Sequence, residues 1–147
     1  MATFTKLNGF VEHLAEKVHN LGSDQLAIAL SNTAPGSEST PPTGSTAACV
    51  LANVTQVSYT NLSGATPRNL TVSSSAQSSG TYKLVINDLV LTATGSVGPF
   101  RYVYLYNDTA TNDELIGYYD YGSSITLANG ETFTLNFDGT AGVLTIA

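Results

Sequence analysis

The sequence predicts a mainly-β fold, an antiparallel β-sandwich or jelly-roll-like domain with one N-terminal amphipathic helix. Three observations predict it. Helical apolar spacing is confined to one stretch, residues 8–21. From Gln25 onward, apolar residues alternate in short runs separated by turn-forming residues, the rhythm of a sandwich or barrel. One run, FRYVYLY at 100–106, is apolar on both faces, as a central strand between two layers must be. At 147 residues and 15.3 kDa the chain suits one domain, 1–147, with length enough for a real core.

The helix comes first. Phe10, Val11, Leu14, Val18 and Leu21 make one apolar stripe, with Glu12, His13, Glu16, Lys17 and His19 mostly opposite. Asn8 or Thr5 can cap its start, and Gly22 can supply the left-handed stop. The stripe is expected to pack on the sheet, the alternative being a partner-binding helix. The first 22 residues hold no apolar run suited to a signal peptide.

Strand signals follow. Leu26, Ile28 and Leu30 alternate. Residues 33–48, TAPGSESTPPTGSTAA, form a long polar segment that suggests an extended loop or arm, with a floppy linker as the alternative. Residues 50–59 suit a short strand or a helical turn, and 70–77 alternate weakly. Tyr82, Leu84 and Ile86 share the face of a strand that continues through Leu89, Leu91 and Ala93, with a bulge or turn as the alternative at Asn87-Asp88. In the central run, Phe100, Tyr102, Tyr104 and Tyr106 are expected on one side, and Arg101, Val103 and Leu105 on the other. LIGYYDY at 115–121 is the next strand. Asn129-Gly130 lies between two alternating runs, which predicts a type I′ hairpin in which Ile125 and Leu127 face Phe133, Leu135 and Phe137. Val143–Ile146 closes the chain as a strand.

Composition excludes several functions. Charged residues are 11%, against a usual share of about 25%, and the net charge is −6. Five scattered cations cannot track a phosphate backbone, so no nucleic-acid partner is expected. The same balance disfavours an anionic membrane surface, and no apolar run approaches the roughly 20 residues of a membrane helix. Cys49 is alone, which rules out an intrachain disulfide or a cysteine-based zinc site.

No catalytic, cofactor-binding or metal-ligating set emerges. His13 and His19, six apart on a helix, point in different directions and read as solvated. There is no P-loop and no GxSxG elbow. Asp108, Asp113 and Glu114 share a loop that fails calcium-loop spacing and reads as a polar connection; Asp120 and Asp138 lie near strand ends. The chain has no tryptophan, which weakens a sugar-processing reading. Asn53, Asn61, Asn69 and Asn107 open N-x-Ser/Thr sequons that Ser/Thr-rich composition produces by chance. The tyrosines carry more information, because they bury area while keeping a polar tip. Tyr102 and Tyr104 are expected in the core. Tyr118, Tyr119 and Tyr121 are candidate interface residues, together with Pro35, Pro41 and Pro42 of the 33–48 segment.

Two stretches carry a resemblance. FVEHLAEKVHNLGSDQLAIALSNTAP at 10–35, and the run from SSGTYKLVINDLV through LNFD at 78–138, resemble a family of small structural proteins encoded among tailed-phage virion genes, most closely capsid decoration (cement) proteins. Residues 33–68 depart from it. The resemblance brings no catalytic residues. It implies a non-enzymatic virion component without cofactors, made in the host bacterial cytoplasm and released by lysis. Its partners would be the major capsid protein and copies of itself, as a dimer or trimer. A tail-tube or tail-fibre subunit and a carbohydrate-binding adhesin module are the alternatives. On this reading the 33–48 arm is mobile in the free protein and fixed in the particle.

Overall fold

The two-sided apolar strand lies at the centre, as its sequence requires. In the computed structural model, which describes residues 2–147, β6 (Val97–Asn107) pairs antiparallel with β7 (Leu115–Leu127) on one side and β2 (Leu26–Ser31) on the other. A short first strand, β1 (Phe4–Lys6), extends the sheet beyond β7, so its order is β1-β7-β6-β2. A second sheet is made by β3 (Val72–Ser78), β4 (Thr81–Ile86) and β9 (Leu144–Ile146), in the order β3-β4-β9. A third pairs β5 (Leu89–Thr92) with β8 (Thr132–Leu135). One helix, α1 (Asn8–Ala15), and a 3₁₀ turn, Leu51–Asn53, complete the architecture. The fold is mainly β and antiparallel with a single N-terminal α-helix. Its strands form sheets of four, three and two.

Both faces of the main sheet are packed. On one, Val103, Leu105, Leu26, Ile28 and Leu30 join Phe10, Leu84, Leu91 and Phe137. On the other, Tyr102, Tyr104, Tyr106, Ala27 and Ala29 join Leu7, Cys49 and Val54. Every residue of β2 is buried as a result. Phe100 does not share the tyrosine face. The register shifts on both sides of it, and it falls in the cluster of Val103 and Leu105.

The helix is shorter than its apolar periodicity predicts. It stops at Ala15 in a Schellman motif, with Lys17 in the left-handed region at φ 64°. The Val18 N–H reaches the His13 carbonyl at 2.8 Å, and the Lys17 N–H the Leu14 carbonyl at 3.3 Å. Lys17 thus fills the role expected of Gly22. Leu7 occupies the N-cap in extended conformation, without a side-chain cap from Asn8 or Thr5. Val11 is exposed, and the inward face is Gly9, Phe10 and His13.

Asn129-Gly130 does turn the chain, but not as a β7–β8 hairpin. The Glu131 N–H bonds the Ala128 carbonyl at 3.1 Å, and of the two central residues only Gly130 has positive φ, 85°. That is the sense of a type II turn. Its backbone docks on Ala93, and β8 leaves to pair with β5. The type I′ geometry appears instead at Ser79-Gly80, φ 51° and 86°, between β3 and β4. Gly130→Val should lower stability by about 1–3 kcal/mol. A Cβ there meets open space, so strain at positive φ is the only cost. A melting midpoint equal to the parent's would show that the turn relaxes freely.

Candidate functional site

The six residues expected to form an interface separate in the fold. Pro35 and Pro42 are buried and Pro41 is half-buried, so they do not form a contact surface. Their segment is no free arm. Ala34 packs on the tyrosine cluster, and Glu38 accepts bonds from the Thr55 N–H at 2.8 Å and the Thr55 hydroxyl at 2.5 Å. The Thr46 hydroxyl donates to Glu12 at 2.8 Å. Ala34, with Cys49, Leu51 and Val54 just after the segment, covers the second face of the main sheet, because a strand apolar on both sides needs two covers.

The tyrosines of β7 divide three ways. Tyr118 packs with Tyr102 and Tyr104 on the second face. Tyr119 turns to the first face, between Phe4 at 5.2 Å and Phe137 at 6.0 Å. Tyr121 is 53% exposed, and every other aromatic residue is buried or half-buried. The backbone explains its display. Between the Phe100↔Ile125 and Tyr102↔Asp120 pairs, β7 carries extra residues that bulge outward. A two-bond clamp from Arg101 to Asp120, at 2.7 and 2.8 Å, and a bond from the Gly122 N–H to Asp120 at 2.8 Å brace that bulge. The Arg101 hydrogen bonds hold the Asp120 carboxyl below its usual range.

Beside Tyr121, Phe133 stands edge-on at 5.8 Å. The two rings border a cleft of about 170 Å³ walled by Tyr119, Leu135 and Phe137. Two wider depressions also border Tyr121, one toward Thr3 and Thr5 and one toward Glu131 and Thr132. One exposed ring therefore stands at the meeting point of three concavities. That suits contact with another surface.

A second cluster lies inside, and sequence reasoning placed its two histidines in solvent. His13 and His19 are 7% and 5% exposed, with ring centroids 5.8 Å apart. Their six-residue spacing was measured along a helix that ends before His19. The reversal at Lys17 folds His19 back onto His13. Asn107, wholly buried at the end of β6, anchors the group. Its Oδ1 accepts the Thr109 and Ala110 N–H groups at 3.0 and 3.2 Å, so its Nδ2 is the donor side. That amide donates to Asp24 at 2.6 Å and lies 3.2 Å from His19 Nδ1, which places the His19 proton on Nε2. Burial, and then the neighbouring His13, lower the His19 pKa to about 4. His19 Nε2 and His13 Nδ1 are buried without hydrogen-bond partners. Glu114 also turns inward and is held by Asn112. The sequence signal for this anchor was the Asn at a strand end followed by Asp-Thr, an Asx-turn pattern.

Among the described residues, no three of His, Cys, Asp and Glu group closely enough to hold a metal ion. Cys49 is buried, and burial raises its thiol to about 11, which leaves it inert at neutral pH. No helix among these residues is long and apolar enough to cross a membrane. In comparison with known proteins, the chain matches no family model, no curated protein and no solved structure.

Proposed function

We propose that the protein is a non-enzymatic structural component of a tailed-phage virion, a decoration (cement) protein that binds and stabilises the capsid shell. The carrying observation is the distribution of aromatic chemistry: twelve of thirteen aromatic residues are packed, and Tyr121 alone is presented, braced by the Arg101–Asp120 clamp at the junction of three clefts. Exposed tyrosine in a concave setting is characteristic of interface anchors. The resemblance of residues 10–35 and 78–138 to phage virion proteins supplies the partner, a major capsid protein in a particle released by lysis. A tail-tube role fits less well, because residues 33–48, where its long hairpin would lie, hold no strand and are folded onto the body.

The test is binding of purified protein to shells of the same phage lacking it, read by electron microscopy and by shell survival on heating. The parent should decorate and stabilise the shells. Tyr121→Ala should weaken binding by about 30-fold or more while leaving the melting midpoint nearly unchanged. Shells that stay bare with the parent would refute the decoration role. Equal binding by both proteins would refute Tyr121 as the anchor. A carbohydrate-binding adhesin module is the second reading, favoured by the Tyr121–Phe133 pair over its cleft. It predicts shifts of those ring signals on titration with host-surface glycans.

A further inference from the structure

The free sheet edges differ in how they are protected. Proteins blunt exposed edges by keeping them short, charging them, inserting proline or covering them. The outer edge of β2 is covered: Ile28 N–H bonds the Arg68 carbonyl at 3.0 Å, Leu70 N–H the Leu26 carbonyl at 2.8 Å, and Val57 N–H the Leu30 carbonyl at 3.0 Å. The edge strands β1 and β9 have three residues each, β5 and β8 have four, and the part of β7 beyond its pairing with β1 is bulged and carries the charge of Asp120. β3 has seven, VSSSAQS, with no charge and no proline. After a bulge between Val72 and Ser74 it runs regularly from Ser74 to Ser78 against β4. Among the described residues, no backbone group of that run bonds anything on its outer side.

We propose that β3 is a homotypic docking edge, pairing antiparallel with β3 of a second copy about a two-fold axis near Ala76. The two three-stranded sheets then join into one of six strands. An extended polypeptide is the occupant that satisfies a row of alternating backbone donors and acceptors. A copy of the same strand is favoured because an antiparallel edge is self-complementary under a two-fold. In that register Ala76 faces Ala76 and Ser74 faces Ser78, small uncharged residues with nothing to repel. The tight Ser79-Gly80 turn and the Ser75–Tyr82 hydroxyl contact at 2.8 Å hold the strand in place before docking. The contact is small, so it is weak, with dissociation on the order of 100 μM. On a shell, anchoring of neighbouring copies would raise their effective concentration and complete the pairing. The inference does not depend on shell attachment.

The experiment follows protomer mass by sedimentation and light scattering from micromolar to about 1 mM. The parent should pass from monomer to dimer, with β3 amides gaining protection from hydrogen exchange over the same range. Ala76→Lys and Ala76→Glu each set like charges directly opposite across the axis and should each raise the dissociation constant at least about tenfold. An equimolar mixture of the two should restore dimers, a result that misfolding cannot mimic. A parent that is monomeric at about 1 mM would overturn the proposal. So would a dimer indifferent to both substitutions, or one protected elsewhere than β3.

Discussion

Tyr104→Ala should destabilise the protein by about 3–5 kcal/mol, the largest effect expected of any single side-chain truncation on the second face. Tyr104 has no exposed surface and lies at the middle of β6, between Ala29 on β2 and Tyr118 on β7. It packs against Tyr118 at 5.7 Å beneath the cover of residues 33–54. Truncation leaves a cavity between a sheet and a loop layer anchored at Glu38 and Thr46, so collapse is limited. Tyr104→Phe separates packing from polarity. The Tyr104 hydroxyl is buried without a hydrogen-bond partner, and burial, then Glu38, push its pKa up. Removing that oxygen should leave stability equal to the parent's or raise it by about 1 kcal/mol. Denaturant unfolding of the three proteins decides the matter. A Phe variant as damaged as the Ala variant would show that the hydroxyl is bonded.

Acid should cost the protein about 3 kcal/mol through His19 alone. In the folded state this imidazole is held near pKa 4 instead of 6.5. The unfolded chain therefore takes up its proton first. The contribution is intact above about pH 6.5, declines as pH falls, and is fully lost below about pH 4, at about 1.4 kcal/mol per pH unit. Facing the ring are His13 from α1, Asp24 before β2, Asn107 from β6 and Glu114 ahead of β7. The two carboxylates raise the pKa but are outweighed by burial and by His13. A protonated ring would also lose Nδ1 as an acceptor facing the Asn107 amide. The measurement is unfolding free energy at pH 7.5, 5.5 and 4 for the parent and His19→Gln. The variant should start lower and fall less steeply, and the gap should close toward pH 4. Parallel curves would show that His19 does not carry the acid sensitivity.

Much of this fold was legible in local pattern. Alternation located the strands from Leu26 to Ile146, and the two-sided run at 100–106 identified the central strand. Those readings hold because side-chain period and turn chemistry are properties of neighbouring residues. The candidate site was less legible. Tyr118, Tyr119 and Tyr121 are close in sequence yet serve the second face, the first face and the surface, because strand alternation and the bulge after Asp120 send each a different way.

What the sequence determined by itself was the class: antiparallel β with one N-terminal helix, and a central strand needing cover on both sides. Only the tertiary structure decided what supplies that cover, which strands pair, and which polar residues are enclosed. Residues 33–48 read as a polar arm because few of their side chains are apolar, yet they and the turn after them lie against the vacant face of β6. Asn129-Gly130 read as a hairpin, yet β8 pairs with β5. His13 and His19 read as solvated, yet the stop at Lys17 closes them around Asn107. In each case the deciding energy lies in contacts between residues distant in the chain, and a local pattern cannot encode them.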